Sequence, residues 1–332
     1  MSNPPNNPAL GNLAPGDLTA HWKSIRPRVS VLLATYNQVE FIDIAIASIL
    51  GQRTSFPFEV IIRDDFSNDG TQDRLESWRR MYPDVIRLKL EVENTFINVG
   101  AFDAMIDMAQ GEYIISAEGD DYWTDERKIE KQATALDDDE GAVAAFHRVL
   151  QLDQATGRVI QPPRSIAKTL SSSDWLADLS VPVQSLMFRN IVGARPRKYP
   201  RIVNGDTYLQ SRLAIHGKAL FISDLLPSIY RIHDRGIWSS ADSRSKAIAQ
   251  CESFYWIACE LCDEGRISEA RVILAMSAQA IVESHIDRGL DPRRIVSLRN
   301  GWVARILSKL SGNFPTVRGL SRRLRRFVVR HL

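Results

Sequence analysis

The chain has 332 residues, of which 44% are hydrophobic and 25% are charged, and its formal net charge at pH 7 is +2. This length accommodates one large α/β domain with an appendage, or two modest domains. The near-neutral charge gives no reason to expect nucleic-acid binding. The sequence contains no run of 18 apolar residues, so no transmembrane helix is predicted.

The start of the chain and its cysteines indicate a protein of the cytoplasm. Residues 1–27 open with a stretch rich in Pro, Asn and Gly, and they are predicted to be disordered, with no signal peptide. Cys251, Cys259 and Cys262 lie in one predicted helix. The CxxC spacing has no second pair of ligands, so buried reduced thiols are expected rather than a zinc site.

From residue 28 onward, short β-branched apolar runs alternate with segments of helical periodicity. The predicted strands are 28–36, 58–65, 85–91 and 112–118. The predicted helices are 39–50, 70–82, 99–109 with Gly111 as its C-terminal glycine, and 124–136 with Thr124 as N-cap. Strands joined by crossover helices imply an α/β fold with a mostly parallel sheet covered on both faces.

The remaining chain is less regular. One strand is expected at 141–152, one at 181–190 and more than one within 219–233, with a helix at 202–218. From about residue 240 the pattern is helical to the end. We therefore expect a first domain at 28–240 and a helical region at 241–332.

The helical region ends in a basic amphipathic segment, residues 320–331. Such a helix can lie on an anionic membrane surface, which would place the protein at the inner face of the cytoplasmic membrane. Its apolar side can equally dock on the body of the protein or on a second copy of the chain.

Polar residues follow three of the predicted strands, at 35–37, 64–69 and 118–121. Ligands of parallel sheets bind at the carboxyl ends of strands, so these clusters are expected to meet in one cleft. The last cluster belongs to the motif AEGDDYW and holds three carboxylates, which are costly near a buried strand unless a cation neutralises them. Mg²⁺ or Mn²⁺ with a diphosphate would do so. The alternative is a solvated acidic turn.

Five further side chains are candidates because of their residue type and their position in the sequence. Asp65 follows a strand and could accept hydrogen bonds from a base or ribose, although turn formation explains most of its segment. Asp206 starts a helix and could act as a base, or could simply favour the helix dipole. His233 could be a metal ligand or a structural histidine, and Arg231 or Arg235 could bind a diphosphate.

Four segments in this order, VSVLLATYN, EVIIRDDFSNDGT, NVGAFDAMIDMAQGEYI and EGDDYWTDERKIEKQ, resemble family 2 glycosyltransferases of the GT-A fold, in the bacterial branch with an EGDDYW motif. The resemblance is strong over 28–136 and looser to about 240. It implies a Rossmann-like α/β/α sandwich. It also implies a nucleotide pocket lined by Ala34, Thr35 and Tyr36, with Asp65 contacting the base.

The resemblance further implies roles for the acidic motif and for the later segments. Glu118, Gly119 and Asp120 would occupy the metal-binding motif, with Asp120 as the direct ligand, and Asp121 would face the donor sugar or acceptor. The remaining implied roles are a general base at Asp206, a metal and diphosphate contact at His233, and diphosphate contacts at Arg231 or Arg235.

The activity implied is a metal-dependent inverting transfer of a hexose from a UDP- or dTDP-linked donor. The cofactor would be Mn²⁺ or Mg²⁺. The acceptor would be a glycan or a lipid-linked glycan in bacterial surface polysaccharide synthesis. Two other readings stay open: a degenerate GT-A fold that serves as a binding or scaffold protein, and a sugar-phosphate nucleotidyltransferase. The latter needs a Gly-rich basic loop after the first strand, which ATYNQVEF does not supply.

Overall fold

Ten strands and eight helices occupy the part of the chain that this computed structural model describes, which is residues 19, 22, 26–94, 103–162, 165–193, 202, 204–234, 236 and 242–286. The strands are β1 Val29–Thr35, β2 Phe58–Asp64, β3 Ile86–Leu90, β4 Tyr113–Glu118, β5 Ala142–Phe146, β6 Val149–Asp153, β7 Arg158–Ile160, β8 Met187–Arg189, β9 Lys218–Phe221 and β10 Ser228–Ile232. The helices are α1 Ile42–Leu50, α2 Thr71–Met81, α3 Asp103–Ile106, α4 Lys128–Asp137, α5 Ser172–Leu176, α6 Gly205–Ala214, α7 Ser243–Asp263 and α8 Ile267–Ile286.

The central sheet has seven strands in the order β3-β2-β1-β4-β8-β5-β9. Pairing is parallel throughout β1 to β4 and between β5 and β9, whereas β8 is antiparallel to both of its neighbours. This arrangement confirms the predicted α/β fold with a mostly parallel sheet. The insertion of β8 between β4 and β5 was not predicted.

The first two strands are buried along almost their whole length, as expected for the centre of a parallel sheet. Apolar side chains of β1, β2 and β4 form one core with residues of α1, α2 and α4, among them Ile46, Leu75 and Ile129. This core fixes the carboxyl ends of three adjacent strands side by side.

A second, three-stranded sheet has the order β10-β6-β7. The single strand predicted within 141–152 is therefore wrong, because β5 and β6 belong to different sheets and the chain turns between them at His147 and Arg148. An isolated antiparallel bridge joins Tyr122 to Ile229 of β10, so the second sheet reaches the segment that follows β4.

Gly111 does not have the capping role predicted for it. The described part of the preceding helix, α3, ends at Ile106. A Cβ at Gly111 would lie 2.6 Å from the backbone nitrogen of Ser30. Glycine is needed there because the chain passes close to the backbone of β1. Residues 99–102, the start of the predicted helix, lie outside the described residues.

Thr124 is not an N-cap. α4 begins at Lys128, and the residue before it makes no side-chain cap. The Thr124 hydroxyl instead donates to the carbonyl oxygen of Pro227, at 2.7 Å. The segment between β4 and α4 thus runs beside the chain that leads into β10 rather than turning directly into a helix.

The chain divides into two units, one of residues 1–197 and 209–234 and another of residues 198–208 and 235–332. All ten strands belong to the first unit. The second contains α7 and α8, and its cysteines are free thiols, with Cys251 buried.

Among the described residues, no helix is long and apolar enough to span a bilayer. The predicted basic segment at 320–331 lies outside them.

Candidate active site

The three carboxylates of the AEGDDYW motif converge at the end of β4. Single oxygen atoms of Glu118, Asp120 and Asp121 all lie within 4.8 Å of one another. We call these three residues the acidic cluster. Glu118 is the last residue of β4 and pairs with Ala34 of β1. The cluster therefore follows from strand register, because the neighbouring strand end positions the turn that carries Asp120 and Asp121.

Gly119 allows the end of β1 to approach this turn. Its backbone N–H donates to the carbonyl oxygen of Ala34 at 2.9 Å. A Cβ at this position would lie 2.4 Å from Oε1 of Gln38 and 2.8 Å from Oγ1 of Thr35. Both of these oxygens are buried and have no hydrogen-bond partner among the described residues. Buried polar atoms without partners are rare, and they mark this edge as one where a ligand would be accommodated.

Asp121 is the buried member of the acidic cluster, with 3% of its surface exposed. Its Oδ1 accepts a hydrogen bond from the backbone N–H of Arg231, at 2.9 Å. Burial, together with the charges of Glu118 and Asp120, raises the pKa of Asp121 well above its ordinary value. The predicted contact with sugar or acceptor stays a prediction, and it would need Oδ2, which is buried without a partner among the described residues.

Arg231 of β10 lies under the acidic cluster and is itself buried. Its guanidinium carbon is 4.7 Å from the ring centre of Tyr122 and 5.1 Å from that of Phe41. Its Nη1 donates to the carbonyl oxygen of Asp120 at 3.2 Å. These contacts place Arg231 as an internal support of the turn. They do not test the predicted contact with a diphosphate.

His233 contacts the residue predicted as the direct metal ligand. Its Nε2 lies 3.0 Å from Oδ2 of Asp120. Its ring packs against Phe41, with 4.9 Å between ring centres. The structure thus brings together three of the residues predicted for the metal site, namely Glu118, Asp120 and His233.

The end of β2 is held differently. Arg63, fully buried on β2, donates from Nη2 to Oδ1 of Asp65 at 2.9 Å and from Nε to Oε1 of Glu91 at 2.8 Å. We call Arg63, Asp65 and Glu91 the Arg63 cluster. The Asp65 side chain is only 5% exposed. Its predicted contact with a base is not tested by this geometry.

The predicted nucleotide-pocket residues of β1 end beside this cluster. Thr35 is paired with Asp64 across β1 and β2. Thr35 is buried and Ala34 partly so, whereas Tyr36, the first residue after the strand, is 38% exposed. Of the three, Tyr36 presents the most surface to a ligand.

Asp206 belongs to the second unit and stands in the first turn of α6. Its side chain is exposed, and its Oδ1 accepts from the N–H of Thr207 at 2.7 Å. Desolvation by the surrounding protein raises the pKa of Asp206 above the ordinary value of aspartate, and the hydrogen bond from Thr207 opposes this rise. Arg235 lies outside the described residues.

Sequence reasoning missed Arg63, Phe41 and Gln38. Arg63 could have been found, because residues two apart on a strand point to the same face and Asp65 immediately follows β2. Phe41 precedes α1, and the helical periodicity of this segment gave no sign of a role at the site. Its packing against Arg231 and His233 joins residues far apart in sequence.

The part of the chain that carries the acidic cluster matches a known family model. Residues 30–192 match the model of glycosyl transferase family 2. This segment is a family 2 glycosyltransferase domain. It contains β1 to β8 and the Arg63 cluster, and it ends before α6 and β10.

Two relatives illustrate the range of similarity. The uncharacterized protein Rv1520 of Mycobacterium tuberculosis is 33% identical over 223 residues, which are 64% of this chain and 61% of the relative. The chain thus spans about three-fifths of that relative's length. TuaG of Bacillus subtilis, named as a teichuronic acid biosynthesis glycosyltransferase, is 37% identical over 113 residues, 34% of this chain and 42% of TuaG.

A solved structure shares the fold. The mannosyltransferase PcManGT from Pyrobaculum calidifontis, in complex with GDP-Man and Mn²⁺, aligns with a TM-score of 0.53 at 18% identity. The alignment covers 86% of this chain and 87% of that one. It supports the GT-A assignment of the central sheet.

Proposed function

We propose that this chain is a metal-dependent inverting glycosyltransferase. It would transfer a hexose from a UDP- or dTDP-linked donor to a hydroxyl group of an acceptor. The observation that carries the proposal is the convergence of Glu118, Asp120 and Asp121 at the carboxyl end of β4, within a family 2 domain. That edge of a parallel sheet is where ligands of such folds bind.

The residues present suit Mn²⁺ or Mg²⁺. Hard divalent cations prefer carboxylate oxygens, and the acidic cluster offers them at short mutual distance. The buried Oδ2 of Asp121 has no hydrogen-bond partner among the described residues, and burial with the charges of Glu118 and Asp120 raises the pKa of Asp121, so a cation would favour the ionised carboxylate. Asp120 and Glu118 would hold the ion, with His233 beside Asp120. Such an ion would supply Lewis-acid stabilisation of negative charge on a departing diphosphate.

The chain's own residues would prepare the donor for displacement. Tyr36, with Ala34 and Thr35 at the end of β1, would border the nucleotide, and Asp65 would lie against the base. Gly119 would keep the turn close to β1. Arg231 would hold the turn of the acidic cluster, and Arg231 or Arg235 would contact the diphosphate. Each contact would orient the anomeric carbon towards the acceptor.

Asp206 is proposed as the general base. It would accept the proton of the acceptor hydroxyl while that oxygen forms a bond to the anomeric carbon. The bond from the anomeric carbon to the phosphate oxygen breaks on the opposite face, and the nucleoside diphosphate leaves with the electron pair. One such displacement inverts the anomeric configuration. The raised pKa of Asp206 supports this role, because a stronger base takes the proton more readily.

The acceptor is proposed to be a glycan or a lipid-linked glycan of a bacterial surface polysaccharide. The similarity to TuaG, a protein named for teichuronic acid biosynthesis, supports this class. A peripheral position on the inner face of the cytoplasmic membrane, through the basic segment at 320–331, belongs to the same proposal.

Substitution of Asp206 tests the mechanism. In Asp206→Asn, transfer should fall by at least about 100-fold, because the acceptor proton has no base to receive it. Donor affinity should change less than about twofold. Transfer is measured by release of nucleoside diphosphate with candidate acceptors, and donor affinity by calorimetry with Mn²⁺.

The matched control is Asp242→Asn, which alters an exposed aspartate at the start of another helix of the same unit. Its transfer rate should equal that of the wild type. An equal loss of donor binding and transfer in Asp206→Asn would contradict the base assignment. Binding of nucleotide sugars by the wild type without transfer or hydrolysis would favour the scaffold reading instead.

A further inference from the structure

Phe66, the second residue after β2, combines two properties that ordinary loop residues rarely share. Its backbone is left-handed, with a φ of 69°. Its side chain is 49% exposed. A bulky residue at positive φ is an outlier that costs free energy, and an exposed phenyl ring gains little burial in return. The protein thus maintains a strained backbone that presents an aromatic ring to solvent.

The strain is not a sign of a loose loop, because hydrogen bonds fix the chain on both sides of Phe66. The N–H of Asp65 donates to the carbonyl oxygen of Thr35 at 3.1 Å. The N–H of Ser67 donates to Oδ1 of Asp64 at 2.9 Å, and the Ser67 hydroxyl accepts from the N–H of Asn37 at 2.7 Å. The position of the ring is therefore set in advance by the ends of β1 and β2.

The ring also occupies the accessible surface at this strand end. The carboxylate of Asp65 is nearly buried against Arg63. Tyr36, which follows β1, is the other exposed aromatic residue at these two adjacent strand ends. At these strand ends the two aromatic side chains are therefore exposed, whereas the carboxylate of Asp65 is buried.

We propose that Phe66 is a stacking platform for the base of the nucleotide donor. This inference rests on the proposed function and adds a binding residue to it. Aromatic side chains stack on the π-face of any base, so Phe66 would contribute affinity with little preference between bases. Base preference would come from polar groups nearby, among which Asp65 and Ser67 adjoin Phe66 in sequence.

The decisive variants are Phe66→Gly and Phe66→Trp. Glycine accepts positive φ without strain, so Phe66→Gly should fold as well as the wild type or better. It should nevertheless bind the nucleoside diphosphate at least about tenfold more weakly, because the stacking surface is gone. Phe66→Trp keeps an aromatic ring and should bind within about threefold of the wild type.

Affinity is measured by calorimetry with UDP, dTDP and GDP in the presence of Mn²⁺, and stability by thermal unfolding. Met81→Ala serves as the control, since Met81 is 47% exposed on α2 and should affect neither quantity. Inorganic diphosphate with Mn²⁺ is a second probe. Its affinity should be the same in the wild type and in Phe66→Gly, because it carries no base.

The outcomes separate this inference from the function on which it rests. If the wild type binds a nucleoside diphosphate and Phe66→Gly binds it equally well, Phe66 is not a platform and the proposed function stands. If Phe66→Gly also loses inorganic diphosphate, the ring does not act through the base and the inference is overturned. If the wild type binds no nucleoside diphosphate, both proposals are overturned.

Discussion

The Arg63 cluster and the acidic cluster are two ways of burying an aspartate at a strand end. In the Arg63 cluster, two carboxylates face two cations, since Arg63 contacts Asp65 and Glu91 and Lys89 lies 3.4 Å from Glu91. In the acidic cluster, three carboxylates lie together. Arg231 meets them through a carbonyl oxygen and a backbone N–H rather than through a side-chain ion pair.

The two clusters differ in how the protein stabilises the buried aspartate. In the Arg63 cluster, the cationic side chains of Arg63 and of the adjacent Lys89 face the carboxylates. In the acidic cluster, burial and the charges of Glu118 and Asp120 raise the pKa of Asp121, so its ionised form is disfavoured. A bound divalent cation would favour that ionised form. The first cluster is therefore expected to matter for stability, and the second for binding.

Arg63→Met should disrupt the Arg63 cluster and should have the largest effect on stability. Removing one member of a buried ion pair leaves uncompensated charge, so the free energy of unfolding should fall by about 3–5 kcal/mol. Chemical denaturation measures this loss, and added Mn²⁺ should not restore it. Arg79→Met, on the exposed side of α2, is the control and should cost less than about 1 kcal/mol. A comparable loss in both variants would show that Arg63 contributes no more to stability than an exposed arginine.

Asp120→Asn should weaken the binding of a divalent cation at the acidic cluster. Mn²⁺ affinity should fall by at least about 100-fold, because a central carboxylate ligand is lost. The metal-free protein should melt no lower than the wild type, since like-charge repulsion is relieved. Calorimetry with Mn²⁺ and thermal unfolding in chelator test the two parts. Asp224→Asn, at a carboxylate that is 71% exposed, is the control. Unchanged Mn²⁺ affinity in Asp120→Asn would refute the metal assignment.

Arg231→Met should lower the free energy of unfolding less than Arg63→Met does. It removes a hydrogen bond to a carbonyl oxygen and contacts with two aromatic rings, which together are worth about 1–2 kcal/mol. Denaturation alongside Arg63→Met gives the comparison directly. A loss as large as that of Arg63→Met would mean that Arg231 neutralises the acidic cluster more fully than its geometry indicates.

The sequence predicted the central strands well because their signals are local. β1, β2 and β4 are short apolar runs followed by polar turns, and the carboxyl ends of parallel neighbours must meet. The acidic cluster could be predicted for the same reason. Its proposed chemistry, by contrast, came from family resemblance.

What the sequence did not reveal depends on contacts between distant segments. β8 inserts antiparallel between β4 and β5, and β10 pairs with β6, neither of which any local periodicity encodes. The supporting role of Arg231 needs Phe41 and Tyr122 on either side. The hydrogen bonds on either side of Phe66 join its neighbours to Thr35 and Asn37, about 30 positions earlier, so the local sequence does not predict its conformation.

The hydrogen bond from Arg231 to Asp121 joins residues 110 positions apart. During synthesis, the residues of the acidic cluster leave the ribosome before β10 does. The contacts between Arg231 and the turn can therefore form only later. Contacts of such sequence separation form late and slow folding. A fragment cut at residue 192, where the family match ends, would carry the whole acidic motif but lack Arg231 and His233. A fragment that keeps the contacts of Arg231 and His233 with the acidic cluster must extend at least to residue 233.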